Sequence, residues 1–392
     1  MGTNVKTDGV NRVGVFMDAR HTDAFDSLRV DSFTPMAGWT FAYNINPALI
    51  TTETDGANGE VTHSGNHARL STGAAASSYA QIQTRKASRY IPGVGGLVRF
   101  TAVFSEPTEG SQQLIGLFDD QNGWGFGYDG LKFGVFRRSL GVDYWAYQDD
   151  WNVETYDRLD PTKGNVYQIE YRWLGYGAQL FAIEDWETGA VDVVHRVDYA
   201  NRYAVTSIDN PNLPLTARAE NTTNETDMVL RTPSAIAGLD GDAYNDAVST
   251  IIATDVQTVP ISSDTEEAIL TLRNPSTYKS KNNRLFVQAL RLSFATDGTK
   301  DVVFRIYANA TITGGTYNDL NTEVTPIQRN TTMTGFSNGV QIGTFILGKV
   351  ESEIVDLTGS QFKGFPGEEI TITAISDNSS DVSAGVTFRQ FL

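Results

Sequence analysis

Apolar and polar residues alternate with a period of two along most of this chain, and turn residues interrupt the pattern at short intervals. In Val98-Arg99-Phe100-Thr101-Ala102-Val103-Phe104 the even positions make one apolar face. Val166 to Trp173 sets Tyr167, Ile169, Tyr171 and Trp173 against Gln168, Glu170 and Arg172. Val191 to Tyr199 puts Val191, Val193, His195, Val197 and Tyr199 on a shared side. Successive side chains of a strand point to opposite faces, so these runs predict half-buried antiparallel strands. Gln121-Asn122-Gly123, Tyr128-Asp129-Gly130, Thr188-Gly189 and Asn210-Pro211-Asn212 supply turns between them. Only Asp242 to Ile252 reads as a short helix. The pattern predicts an all-β protein of two antiparallel β-sandwich (jelly-roll) domains with an extended N-terminal arm.

The 392 residues exceed one ordinary sandwich. Residues 1–30 are polar, with Val10, Val13, Val15 and Phe16 scattered among them. Such a segment has little to bury by itself, so it is predicted to gain order on a neighbouring subunit, as a strand added to a sheet edge. A disordered leader or an ordinary first strand is the competing reading. Residues 31–240 form the predicted first domain. Small and acidic residues around Ala235 to Asp242 mark the boundary, and residues 241–392 form the second domain. There, Leu285 to Phe294 and Asp301 to Ile306 flank Asp297-Gly298, which reads as a hairpin turn. Val302, Phe304 and Ile306 share a face, and Gly343 to Leu347, Ile370 to Ile375 and Val386 to Phe391 read as further strands.

Charge narrows the function. With 30 basic and 47 acidic residues the net charge is −17, which repels phosphate backbones, so no nucleic-acid partner is expected. The absence of cysteine excludes disulfides and thiolate metal sites. The first residues lack the apolar run of a secretory signal, and no stretch approaches the ~20 apolar residues that span a bilayer. The expectation is a protein made in a reducing cytoplasm, with no membrane partner.

Reactive constellations are scarce. His63 and His67 have the spacing of metal ligands on a helix, but Thr62-His63-Ser64-Gly65-Asn66-His67 reads as a turn between strands. No nucleophile elbow, phosphate loop or dinucleotide fingerprint occurs. In Gly123-Trp124-Gly125-Phe126-Gly127 aromatics alternate with glycines, as in a strand packed under something bulky. Glycosidases on sandwiches need two carboxyls on one strand face. Glu184 and Glu187 differ by three, and Glu187-Thr188-Gly189 looks like the turn itself. Asp119-Asp120-Gln121-Asn122 and Asp240-Gly241-Asp242 with Asn245-Asp246 are oxygen-rich, but they miss the EF-hand spacing and read as solvated turns. No catalytic residue, metal or cofactor is expected. Trp124, Tyr128, Tyr144, Trp145, Tyr147 and Trp151 crowd one region beside Asp143, Asp149 and Asp150. Rings beside carboxylates suit a sugar, and Trp124, Tyr128, Tyr144, Trp145 and Trp151 are the candidate glycan contacts; aromatic core is the alternative.

Asp23-Ala24-Phe25-Asp26-Ser27-Leu28-Arg29-Val30 resembles the D-A-F-x-x-L-R-V opening of a group of virion structural proteins of tailed bacteriophages and some large DNA viruses. The segment from Ile115 through Arg137-Arg138-Ser139, then Tyr171 to Gly177, Ile183 to Gly189, Asn210 to Pro214 and Ala219 to Thr226, continues the likeness. Leu272-Arg273-Asn274-Pro275 and Asn283-Arg284 resemble the start of the C-terminal domain in such proteins. The resemblance implies a concanavalin-like jelly roll for the first domain and carries over no catalytic residue. It also implies a non-enzymatic place in the virion, as a capsid decoration, collar or tail-fibre subunit. The expected partners are other virion proteins (capsid, portal, collar or tail) and further copies of the chain. A host surface glycan is the alternative ligand.

Overall fold

The computed structural model describes residues 5–7, 13–15, 33–241, 249–358 and 363–391. The chain divides into two compact units, Met1–Tyr244 and Asn245–Leu392. Each is an antiparallel β-sandwich with a core of its own.

In the first unit the strands run β1 (Val5–Thr7), β2 (Val13–Val15), β3 (Phe33–Thr40), β4 (Ile50–Thr54), β5 (Glu60–Ser64), β6 (His67–Ser71), β7 (Tyr79–Ser88), β8 (Gly95–Ala102), β9 (Ser111–Phe118), β10 (Asn122–Asp129), β11 (Lys132–Ser139), β12 (Val142–Tyr147), β13 (Asn165–Tyr171), β14 (Gln179–Glu184), β15 (Val191–Val197), β16 (Leu213–Asn221), β17 (Val229–Thr232) and β18 (Ser234–Asp240). A seven-stranded sheet is ordered β12-β11-β10-β9-β16-β7-β4, and a six-stranded sheet β15-β14-β13-β8-β18-β3. Ile115, Leu117, Trp124, Phe126 and Val135 from the first join Val98, Phe100, Tyr167, Ile169 and Phe181 from the second in one core. Phe126 and Tyr167 lie 4.9 Å apart between ring centroids, so the two apolar faces interlock across the sandwich.

The second unit repeats the plan. One sheet is ordered Ser249–Ala253, Ser380–Phe391, Phe286–Thr296, Ser352–Asp356. The other runs Asn318–Asp319, Gln328–Asn330, Glu267–Arg273, Glu369–Ser376, Val302–Ala308, Val340–Leu347. Phe294, Phe304, Ile306, Leu347, Val382 and Phe388 fill the space between.

Four local expectations need correction. Phe286–Thr296 and Val302–Ala308 do not pair across Asp297-Gly298: the first bonds to Ser380–Phe391 and Ser352–Asp356, the second to Val340–Leu347 and Glu369–Ser376. Both strands present apolar faces to the same core, so the short turn carries the chain from one sheet to the other. Trp173 lies beyond the end of β13 and is 41% exposed, whereas Tyr167, Ile169 and Tyr171 are buried as the alternation predicts. Along β15 the register against β14 shifts between Phe181 and Ala182, so the extra residue Val194 is fully buried and Val193 only partly. Of the expected helix 242–252, residues 242–248 lie outside the described residues and Ser249–Ala253 is a strand. Its Thr250-Ile251-Ile252 run is β-branched and suits a pleat better than a helix.

Candidate functional site

The strand parity of the seven-stranded sheet sorts its residues into two faces. Trp124, Phe126 and Tyr128 of β10 point into the core. The residues between them share the outward face with Trp145 and Tyr147 of β12, Phe136 of β11, Gln112 of β9, Arg218 and Glu220 of β16, Tyr79, Gln81 and Gln83 of β7, and Glu53 of β4. Gly125 is there because Phe136 needs the room. A Cβ on Gly125 would sit 2.5 Å from the Phe136 ring and 2.6 Å from the Ile115 carbonyl oxygen. Phe136 leans into that space and forms a small buried cluster with Leu114 and Phe118, against which Trp145 packs. The bulky cover expected over the glycine-rich strand is therefore Phe136.

Two polar networks flank this cluster. On one side the Tyr147 hydroxyl donates to Asp129 Oδ2 at 2.9 Å and Gln112 Nε2 donates to Asp129 Oδ1 at 3.0 Å. Trp145 and Tyr147 lie parallel, 10° between planes and 6.0 Å between centroids, and the Lys132 ammonium sits 4.8 Å over the Tyr147 ring. On the other side Tyr79 donates to Glu53 at 2.9 Å, Arg218 Nε donates to Glu220 at 2.7 Å and its Nη1 to Gln81 at 3.1 Å. The Arg218 guanidinium stacks 4.2 Å from the Tyr79 ring centroid. The hydrogen bond to Glu53 raises the Tyr79 phenol above its ordinary pKa, with burial adding to it, and burial followed by the bond to Asp129 raises Tyr147. Both phenols therefore remain protonated donors near neutral pH. The amide oxygens of Gln83 and Gln112 carry no hydrogen bond among the described residues, so both are open acceptors on this face.

The five aromatics singled out in the sequence divide three ways. Trp124, Tyr128 and Trp151 are core side chains, at most 6% exposed, and cannot offer a ring to a sugar. Trp124 stacks on Tyr171 and Trp151 meets Phe126 edge-on, so their apolar area is used between the sheets. Trp145 lies on the outward face with Tyr147. Tyr144, one residue away, points to the other side and is 53% exposed. Val13 and Val15 fall in β2, which pairs with β1 in a short antiparallel hairpin, while Val10, Phe16 and the segment Asp23 to Val30 lie outside the described residues.

The weighed chemical alternatives take definite places. His63 and His67 stand on the paired strands β5 and β6, and each ring bonds a backbone carbonyl, of Phe41 and Gly65 respectively. Asp185 folds its own turn: it accepts from the backbone of Glu187 and Thr188 and pairs with Arg158 at 2.5 Å. The backbone N–H of Thr188 is the main cause of its lowered pKa. Asp119 likewise accepts from the backbone of Gln121 and Asn122. Among the described residues no three His, Asp or Glu side chains are placed to hold a metal.

Sequence reasoning missed Tyr79, Gln81, Gln112 and Arg218. They lie far from Trp145 in the chain and join it only through sheet order; their even spacing on β7, β9 and β16 was the one available signal.

No protein-family model and no curated protein matches this chain. Solved structures with similarity include a glycosyl hydrolase family protein from Mycobacterium fortuitum, at 10% identity and a TM-score of 0.36, covering 52% of this chain and 99% of that one. The potassium-bound carbohydrate recognition domain of Emp46p gives 8% and 0.34, covering 52% and 96%. A legume lectin-like domain from Entamoeba histolytica gives 12% and 0.32, covering 51% and 95%. Likeness at this level carries no argument about activity.

Proposed function

We propose that this chain is a non-enzymatic virion protein of the tailed-phage type, a decoration, collar or appendage subunit, whose first sandwich holds a surface glycan. The virion part rests on the resemblance that begins at Asp23-Ala24-Phe25 and runs into the second unit. The glycan part rests on the outward face of the seven-stranded sheet. There the partly exposed rings of Trp145 and Tyr147 stand beside Gln112 and Asp129, an apolar plane next to amide and carboxylate acceptors, as a pyranose requires. The absence of hydrolysis is part of the proposal, because the carboxylates of this face are engaged: Asp129 by Tyr147 and Gln112, Glu53 by Tyr79, Glu220 by Arg218, Asp143 by Arg138.

The test has two arms. The chain should co-sediment with assembled particles of its source and be labelled on them in electron micrographs; its exclusion from particles would remove the virion reading. Purified protein on an array of bacterial polysaccharides should bind without releasing reducing ends, and Trp145→Ala should lower binding at least tenfold. Release of reducing ends that disappears in Asp129→Asn or Glu184→Gln would make the protein a hydrolase instead.

A further inference from the structure

We propose that Arg137 is the centre of a second binding site, one that takes the carboxylate of an acidic sugar. Arg137 lies near the end of β11, where the core-facing parity of Phe133 and Val135 runs out of the sandwich. Its guanidinium is 4.2 Å from the Tyr144 ring centroid on one side and 5.4 Å from that of Tyr199 on another. Tyr199 in turn packs 4.4 Å from Tyr203, which is 56% exposed. Arg137 Nη1 donates to the Ser207 carbonyl at 2.6 Å, and Ser207 N donates to the Gly175 carbonyl at 2.8 Å. Three separate stretches of chain thus hold one side chain in one place.

The cation so positioned has no counter-ion among the described residues. Among the described residues no carboxylate pairs with Arg137, and its Nε and Nη2 donate to nothing. The nearby carboxylates are taken: Asp143 by Arg138 at 2.7 Å, and Asp198 by Arg196 at 2.5 Å. In a chain with a net charge of −17, this half-buried guanidinium has a backbone carbonyl partner and two rings but no acid. Two parallel donors on one edge of a planar fork match a carboxylate bidentately. The rings decide what carries that carboxylate. Tyr144 against the guanidinium and Tyr203 packed on Tyr199 are both exposed, which suits the apolar face of a pyranose next to its acid group. The long-range repulsion between an acidic protein and an acidic glycan falls off over about 8 Å at physiological salt, whereas the contact at Arg137 is direct.

This site faces away from Trp145 and stands independently of the outward-face reading, so the two are separable by mutation. The probes are oligogalacturonate, its methyl ester, and 3′-sialyllactose, titrated into the full chain by calorimetry in 0.15 M salt. At least one of the two acids should bind ten times more tightly than the ester. Arg137→Ala and Arg137→Lys should each remove that preference, Tyr203→Ala should weaken binding several-fold, and Trp145→Ala should leave it unchanged. Melting curves identify any variant that has lost its fold, and the exposed Tyr203 keeps the test open if Arg137 variants unfold. Failure of both acids to bind, equal binding of acid and ester, or indifference to Arg137→Lys would overturn the proposal. So would a glutamate-rich peptide that binds as tightly as oligogalacturonate, which would assign the site to a protein partner.

Discussion

Gly125 shows how one missing side chain shapes a surface. Without a Cβ there, Phe136 lies flat and brings Leu114 and Phe118 into a second, outward core, on which Trp145 is set. Gly125→Ala meets both a ring and the backbone oxygen of Ile115, and that oxygen cannot step aside. The substitution should cost about 1–3 kcal/mol in urea melts and loosen Trp145, read as a change in its fluorescence. His195 carries a different consequence. It is 8% exposed, accepts from Asn152 N at Nδ1 and lies 6.3 Å from Phe181 between centroids, and burial lowers its pKa from 6.5 although Asp198 acts the other way. The unfolded chain therefore takes up a proton that the folded one refuses. This group's effect on stability is absent well above pH 6.5, grows as pH falls through 6.5, and levels off below the lowered folded value. His195→Gln should flatten the fall in urea midpoint between pH 7.5 and pH 5.5; an unchanged slope would remove His195 as its source.

Strand faces were the most legible feature, because a period of two in the sequence is a period of two in space. Val98, Phe100, Ala102 and Phe104 are all buried as their parity requires, and so are Val302, Phe304 and Ile306. Parity fails where an added residue changes its phase, as at Val194, and where the strand stops, as before Trp173. Pairing is less legible than parity. Asp297-Gly298 has the composition of a hairpin turn, yet whether the next strand returns beside the last or crosses to the facing sheet depends on distant partners such as Ser380–Phe391. The candidate sites share that limit: Trp145 was visible in a dense aromatic segment, whereas Arg218, Tyr199 and Tyr203 reach their places through strand order and loops. The β11–β12 turn offers a test at this scale. Leu140 has φ +52° and Gly141 φ +76°, a pair of left-handed residues that suits Asn-Gly, and Leu140 is 67% exposed. Leu140→Asn should raise stability by about 1 kcal/mol, since it relieves a left-handed leucine and uncovers nothing buried. A loss of stability would mean that the leucine makes apolar contacts in solution.

At the scale of the whole molecule, the two units have separate hydrophobic cores: one runs from Trp39 and Phe41 through Trp124 to Ala237, the other from Ile261 through Phe304 to Phe388. Among the described residues strand pairing stays within a unit: β18 closes on β3 and β8, and the final strand closes on Phe286–Thr296. Cooperative unfolding follows shared contacts, so separate cores predict separate transitions. Residues 1–244 and 245–392, expressed alone, should each fold, and the calorimetric trace of the full chain should be the superposition of the two. Phe304→Ala decides the matter within one molecule. Phe304 is fully buried and packs 4.7 Å from Phe294 between ring centroids, so its removal should cost about 3–5 kcal/mol. All of that loss should fall on the transition of the second unit, while the first melts at its original temperature. A shift of both transitions together would show that the units stabilise one another.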